Sequence, residues 1–479
     1  MFRTVGDQAS LFESVLPPEV LRLPVELERV DALLDDPAFF APLAPFFDPR
    51  IGRPSTPMET YLRLMFLKFR YRLGYESLCR EVGDSITWRR FCRIPLEAKM
   101  PDPTTLMKLT TRCGSAAVQG LNETLLAKAT EAKVLRTTKL RADTTVVPSN
   151  VSYPTDSGLL AKAIRRMAVT GKRVRAAGGA IRTKLRDRSR AAGKRAHAIG
   201  FRLRSRSAAG RDEALAAVRR TTGELADLAE TAATDAQRLL TNAKRALRRA
   251  RAKATEQKAR GEHDAVSGRR RGRLARAVND LSELVGATRQ IAAQTRQRLG
   301  GQTPDGSKRR VSLHDPDARP IAKGRLGKPV EFGHKAQLVE GDDGVIVDHN
   351  VERGNPADAP QLAPAVDRVR KRAGRPPRAV TADRGYGEKA VDDDLAALGV
   401  KRVVIPRKGK PSAARRTEEH RRGFRQTVKW RTGVEGRIST LKRGYGWDRT
   451  CIDGTEGAKI WVGHGVLAHN LVKISTLAA

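Results

Sequence analysis

Three acidic residues occupy positions that suit metal chemistry. Asp143 interrupts Leu140-Arg141-Ala142-Asp143-Thr144-Thr145-Val146-Val147, a run whose β-branched residues read as a strand. A carboxylate inside a strand is disfavoured on propensity grounds, and such local violations concentrate at functional sites. Asp383 closes a second strand-like run, Arg378-Ala379-Val380-Thr381-Ala382-Asp383, and is followed by Arg384-Gly385-Tyr386-Gly387. Glu435 lies in a helical stretch between Arg431 and Lys442. Mg²⁺ or Mn²⁺ needs one or two protein carboxylates, with substrate phosphate oxygens completing its shell. A pair of such ions activates an attacking oxygen and stabilises a leaving one, which is the chemistry of phosphodiester cleavage.

The helix around Glu435 adds two cations. Arg431, Glu435 and Lys442 follow the spacing R-x3-E-x6-K, and at about 100° per residue positions 431, 435, 438 and 442 share one face. That face suits DNA phosphates beside a metal; a salt-bridge ladder on a solvated helix has the same spacing. Lys335, Arg384 and Arg437 are further candidate DNA contacts, Lys335 being equally consistent with a surface lysine. Asp156, ahead of Gly158-Leu159-Leu160, reads as a helix N-cap, His464 and His469 as packing residues, and Asp342-Asp343 as turn residues.

These groups belong to a chain of 479 residues with 92 Lys+Arg against 53 Asp+Glu, a formal net charge of +39. So positive a balance favours a polyanionic partner, because each neutralised phosphate releases counterions. An RNA-binding or ribosome-associated protein would share the charge but gives no reason for three placed acids. Cys79, Cys92, Cys113 and Cys451 form no Cys-x-x-Cys pair and have no histidine at zinc-finger spacing, which points to reduced thiols in a cytoplasm. The first residues hold no apolar signal core, and no apolar run reaches the about 20 residues of a membrane span.

The elements that must position the acids follow from periodicity. Residues 1 to 50 read as short helices in a proline-rich lead-in, with Phe39, Phe40, Phe46 and Phe47 docking it. Met58, Leu62, Met65, Phe66 and Phe69 recur at helical spacing, Leu73-Gly74-Tyr75 marks a turn, and helices follow from Ser77 and Ser85. Another starts at Pro103-Thr104-Thr105, with Thr104 or Thr105 as N-cap. Arg63, Lys68, Arg70, Arg72, Arg80, Arg89, Arg90 and Arg93 give this unit the basic face of a helix-turn-helix DNA reader, or of an ordinary bundle with solvated cations.

Residues 161–300 hold 36 Lys+Arg against 12 Asp+Glu and a single aromatic residue, Phe201. Long helices are predicted over 212–251 and 274–299, with glycine-rich loops near 171–179 and 261–272. The segment reads as a polyanion-binding helical arm or as a solvated insert. Strands are predicted over 330–339 and 345–351 around the turn Gly341-Asp342-Asp343-Gly344, then a helix over 359–372, a strand ending at Asp383, a helix over 387–398, a strand over 401–406, and helices over 430–442 and 455–474. The result is a mixed sheet with helices on its faces.

Taken together, these stretches resemble the DDE transposases of bacterial insertion sequences, in particular the groups whose third acid lies in a Y-x2-R-x3-E-x6-K signature. Arg431, Glu435 and Lys442 match it; Val428 stands at the tyrosine position, with Trp430 close by. Residues 142–150 with Tyr153-Pro154-Thr155-Asp156, Gly333-His334-Lys335 and Ala382 to Gly387 also match, and the helices through Thr105 resemble the DNA-binding part of these families. The resemblance implies an α/β RNase H-like catalytic core, a mixed sheet flanked by helices, over residues 131–157 and 311–479. It also implies an N-terminal all-α DNA-binding domain over 1–130, leaving 158–310 as a long α-helical basic insertion. Asp143, Asp383 and Glu435 are then the catalytic metal ligands, holding two Mg²⁺ or Mn²⁺ ions. Water cuts each transposon end, and the freed 3′-OH attacks target DNA. The implied partners are double-stranded DNA and a second copy of the chain, in a bacterial cytoplasm at the nucleoid. A metal-dependent nuclease of the same fold without strand transfer and a non-catalytic DNA-binding relative are the alternatives.

Overall fold

The computed structural model describes residues 1–5, 15–204, 210–260, 264–323 and 329–478. The chain forms two compact units, Met1–Asn150 with Ile321–Ala479, and Val151–Pro320.

The first unit is organised by a six-stranded sheet. Its strands are β1 (Lys139–Pro148), β2 (Arg319–Ala322), β3 (Val330–Glu340), β4 (Ile346–Arg353), β5 (Ala379–Ala382) and β6 (Arg402–Val404). The order is β2-β3-β1-β5-β6, with β4 also paired to β3. β1 and β4 both run antiparallel to β3, whereas β5 is parallel to β1 and β6 to β5. The β3–β4 hairpin turns where predicted: Gly344 takes φ +81°, and Asp343 accepts the amides of Arg136 and Val345 at 2.7 and 3.0 Å.

Alternation along the strands builds two cores. Leu140, Ala142, Val339, Val380 and Ala382 pack with Leu362, Val366 and Leu395 of the helices Ala359–Ala373 and Lys389–Ala397. Their neighbours Val147, Ala336 and Leu338 join the N-terminal helices and the last helix, Gly454–Leu477. Phe39 and Phe47 are buried there, so the lead-in docks as expected. His464 stacks on Phe69 at 5.3 Å and His469 meets Tyr445 edge-on at 5.3 Å; burial drives both imidazoles down to about 3, so they pack as neutral rings.

Several local readings change. The long helix Pro103–Glu131 is capped by Asp102, whose carboxylate accepts the Thr104 amide at 2.8 Å, rather than by Thr104 or Thr105. Proline at the first helical position has no amide to satisfy, which moves the cap one residue earlier. The stretch 430–442 is two helices, Arg422–Arg431 and Gly433–Gly444, joined at Thr432.

The second unit is a packed helical body. Its helices are Asp156–Ala176, Ser189–Arg204, Arg211–Ala259 and Ala265–Leu299. They share a core that includes Leu160, Ile164, Met167, Leu239, Leu281 and Ile291. Ala226, Ala229, Ala233, Ala236 and Ala243 are fully buried in it, small residues that let helices approach closely. The helix Arg211–Ala259 has 49 residues, roughly 70 Å at the usual rise. The glycine-rich stretches are partly helical: the helix runs through Gly171, where a Cβ would fall 2.3 Å from Leu185, and turns only after Ala176. Helix also covers 265–272, while 261–263 lie outside the described residues. Thr155, not Asp156, caps the first helix; Asp156 is buried and binds Arg298 at 3.2 Å.

Candidate active site

Strand register brings two of the acids together. β1 and β5 pair in parallel with Ala142 opposite Ala382, so Asp143 and Asp383 take the next step in register. Both alternate away from the core that holds Ala142 and Ala382. The Asp143 side chain is 14% exposed, and its Oδ1 accepts the Thr144 amide at 2.7 Å. Burial pushes its carboxyl up to about 6; Asp383 and Glu435 add to the rise, while the Thr144 amide and Arg431 oppose it. Asp383 caps the turn Arg384–Tyr386 by accepting the Gly385 amide at 2.9 Å. Its carboxyl is also raised, chiefly by burial and then by Asp358, against the Gly385 amide and Arg431.

Arg431 ties the third acid to this pair. Its Nη1 lies 3.2 Å from Asp143 Oδ2 and its Nη2 lies 3.3 Å from Glu435 Oε1. The i, i+4 register predicted for Arg431 and Glu435 therefore survives the joint at Thr432. Glu435 sits in the first helical turn, where the helix dipole favours a carboxylate, and its side chain is 64% exposed. Arg431 thus bridges the half-buried Asp143 and the exposed Glu435, with Asp383 beside Asp143 in register.

The helix is held over β1 by a second arginine. Arg141, on the same face of β1 as Asp143, lies 4.7 Å from the Trp430 ring and donates to the Trp430 carbonyl at 2.7 Å. It also donates to the fully buried Glu340 at 2.9 Å, and Arg437 donates to the other oxygen of the same carboxylate at 2.9 Å. Gly433 leaves the space this needs: a Cβ there would fall 2.2 Å from Arg141 Nη1.

Residues 305–471 match the family of transposase DDE domains, and residues 17–112 match a transposase domain, DUF772. The chain belongs to the DDE transposases of insertion sequences. Over 137 residues it is 29% identical to an uncharacterized protein, ORF8 in the nfe locus, of Rhizobium meliloti. That match covers 27% of this chain, and the chain spans 64% of that relative's length. No solved structure matches it. The mixed sheet is accordingly the RNase H-like core of a DDE transposase, and Asp383 and Glu435 lie inside the matched DDE stretch. Asp143 lies in neither matched stretch; pairing of β1 with β5 is what brings it to Asp383.

DDE transposases use divalent metal ions. The all-oxygen donor set of Asp143 and Asp383 suits a hard divalent cation; burial raises both carboxyls, and a bound cation would favour their ionised forms. Among the described residues no three acidic, histidine or cysteine side chains converge closely enough to hold one ion. In this state, Glu435 is turned to Arg431. The aspartate pair supplies oxygen donors for such an ion, and Arg431 links Glu435 to Asp143.

Other candidate residues lie in different surroundings. Lys335 is buried; its Nζ meets Asp358 at 2.6 Å and donates to the Pro356 carbonyl at 2.9 Å, so its charge is spent internally. Arg437 is likewise committed to Glu340. Arg384 is exposed and donates to the carbonyls of Arg407 and Gly409 at 2.9 and 3.1 Å. Lys442 is half-buried in the last turn of its helix. Two neighbours of the site, Asp358 and Tyr386, were not among the candidates from sequence. A Cβ on Gly385 would lie 3.0 Å from Asp383 Oδ1 and 3.5 Å from Asp358 Oδ2, so a fourth carboxylate flanks the site. The buried Tyr386 hydroxyl accepts from Gln337 at 3.1 Å. The clue to Asp358 is its place directly before a helix that opens Ala359-Pro360.

Proposed function

We propose that this chain is a DNA transposase that cuts transposon ends and joins them to target DNA at a site built on Asp143, Asp383 and Glu435. The observation carrying this reading is the adjacent register of Asp143 and Asp383, with Arg431 linking Asp143 to Glu435. Asp143 and Asp383 would hold Mg²⁺ or Mn²⁺, two ions in the full site, and Glu435 would complete it. The bound metal supplies Lewis-acid activation of the attacking oxygen and stabilisation of the leaving one. The Thr144 and Gly385 amides hold the two aspartates in place. Arg431 counters the repulsion among the three acids, and with Lys442 and Arg384 would hold phosphates at the scissile bond.

The N-terminal helices, 1–130, are assigned to recognition of the terminal inverted repeats, and a homodimer to handling two ends at once. The setting is a bacterial cytoplasm, at the nucleoid. Among the described residues no helix is long and apolar enough to cross a membrane. The test uses Asp143→Asn, Asp383→Asn and Glu435→Gln. Each should abolish Mg²⁺-dependent nicking of an end-bearing duplex while leaving its binding nearly unchanged. Full nicking by any one of them removes that residue from the site. Joining of a pre-cut end to a plasmid separates a transposase from a nuclease that cuts but does not join.

A further inference from the structure

The helical unit Val151–Pro320 contains a cavity of about 390 Å³ that the catalytic reading does not use. Its wall is Arg173, Arg270, Arg273 and Arg276, with three alanines between them. Two of the four guanidiniums are placed by the backbone or by an acid. Arg270 donates through Nε to the Ala177 carbonyl at 3.3 Å, at the end of the helix Asp156–Ala176. Gly178, at φ +87°, gives it room, since a Cβ there would lie 2.5 Å from Arg270 Nη2. Arg173 binds Asp280 at 3.2 Å. Among the described residues Arg273 and Arg276 have no acidic partner. The notch therefore holds four cations and one adjacent acid.

We infer that this notch grips a backbone phosphate of duplex DNA. Guanidinium forks match phosphate oxygens two at a time, and arginine gives up its hydration more readily than lysine. The alanine floor offers no competing acceptor side chain. Charge continues past the notch: residues 244–276 hold 13 Lys+Arg against 3 Asp+Glu. A free small anion would need only the notch, whereas a polyanion uses the track beside it. Arg269, Arg273, Arg276 and Asp280 fall at i, i+4, i+7 and i+11 on one helix face, so the acid marks where the basic strip ends.

The choice of DNA as occupant rests on the transposase reading. The test measures binding of the full-length chain to a duplex of random sequence across a KCl titration, by fluorescence anisotropy. Arg273→Gln with Arg276→Gln should weaken binding several-fold and flatten the slope of log affinity against log salt by about 0.9 for each phosphate no longer neutralised. Arg219→Gln with Arg220→Gln removes the same charge from exposed positions elsewhere in the unit and should leave the slope nearly unchanged. Equal losses in the two double variants, or none in the first, overturn the notch. Arg173→Gln reads the same slope should the first variant lose helical circular dichroism. Tighter, equally notch-dependent binding of a matched RNA duplex overturns DNA as the occupant. A wild-type chain that binds through the notch but never nicks DNA sinks the transposase reading and leaves the phosphate site standing.

Discussion

Arg63, in the N-terminal helices, is fully buried between Asp31 and Asp35, at 2.6 and 2.5 Å, whereas Arg273 and Arg276 in the insertion stand exposed without an acid among the described residues. The contrast extends across both regions. Arg89 is buried and donates to the carbonyls of Pro95, Leu96 and Ala98, Arg70 binds Glu26, and Arg72 binds Asp448. Lys68 is buried against Tyr75 and Trp461, its amine 4.6 and 4.5 Å from their rings. Arg63, Lys68 and Arg89 of the expected basic face are therefore internal bracing, while Arg72 and Arg80 stay exposed. In the insertion, apolar and alanine positions make the core and the cations are left outside. Arginine thus braces one region, where 17 Lys+Arg meet 16 Asp+Glu over residues 1–130, and gives a surface field in the other, where 36 meet 12 over residues 161–300.

The largest test of this contrast is Arg63→Ala against Arg276→Ala. Loss of Arg63 strands Asp31, whose carboxyl burial already raises despite the ion pair. The cost should be about 3 kcal/mol, near the low end for a broken buried pair because Asp35 is half exposed. Arg276→Ala should stay within about 0.5 kcal/mol. Urea midpoints compare the two, and similar losses would break the contrast.

Next comes Gly433→Ala, which forces Arg141 from the space it shares with Trp430 and Glu340. A stability loss of about 2 kcal/mol is expected from this overpacking. Nicking should fall with it, because the helix bearing Glu435 shifts over β1; unchanged nicking would show that Arg141 does not position that helix.

Lys68 provides a smaller, pH-dependent test. Burial lowers its ammonium to about 8 from an ordinary 10.5. Between those values the unfolded chain keeps this proton and the folded chain does not, so stability rises with pH there. Relative to Lys68→Met, the wild type should gain about 1 kcal/mol per pH unit from pH 8 upward. A flat difference would mean that the amine is not buried as described.

The smallest effect expected is from salt. Raising KCl should lift the melting temperature of Arg63→Ala and of the wild type by the same degree or two, since screening relieves repulsion among exposed arginines and barely reaches buried pairs. A salt response that differed between them would place Arg63 in solvent.

Local pattern made much of the site legible. The β3–β4 hairpin, the strand ending at Asp383 and the Arg431–Glu435 register all follow from periodicity over a few residues, and the structure shows each of them. Such features depend on neighbours in the chain, which sequence displays directly. Tertiary structure decided the rest. Arg63 meets an acid 32 positions away and Arg141 one 199 positions away, so whether a cation faces water or a partner is a property of burial, not of type. The same holds for Lys335, spent on Asp358, and for Asp143, set beside Asp383 across 239 intervening residues by the parallel register of β1 and β5. The sequence by itself determined which groups are able to bind metal and phosphate. Packing decided which of them remain free to do so, because a charge removed from water must be paired, and that partner comes from elsewhere in the fold.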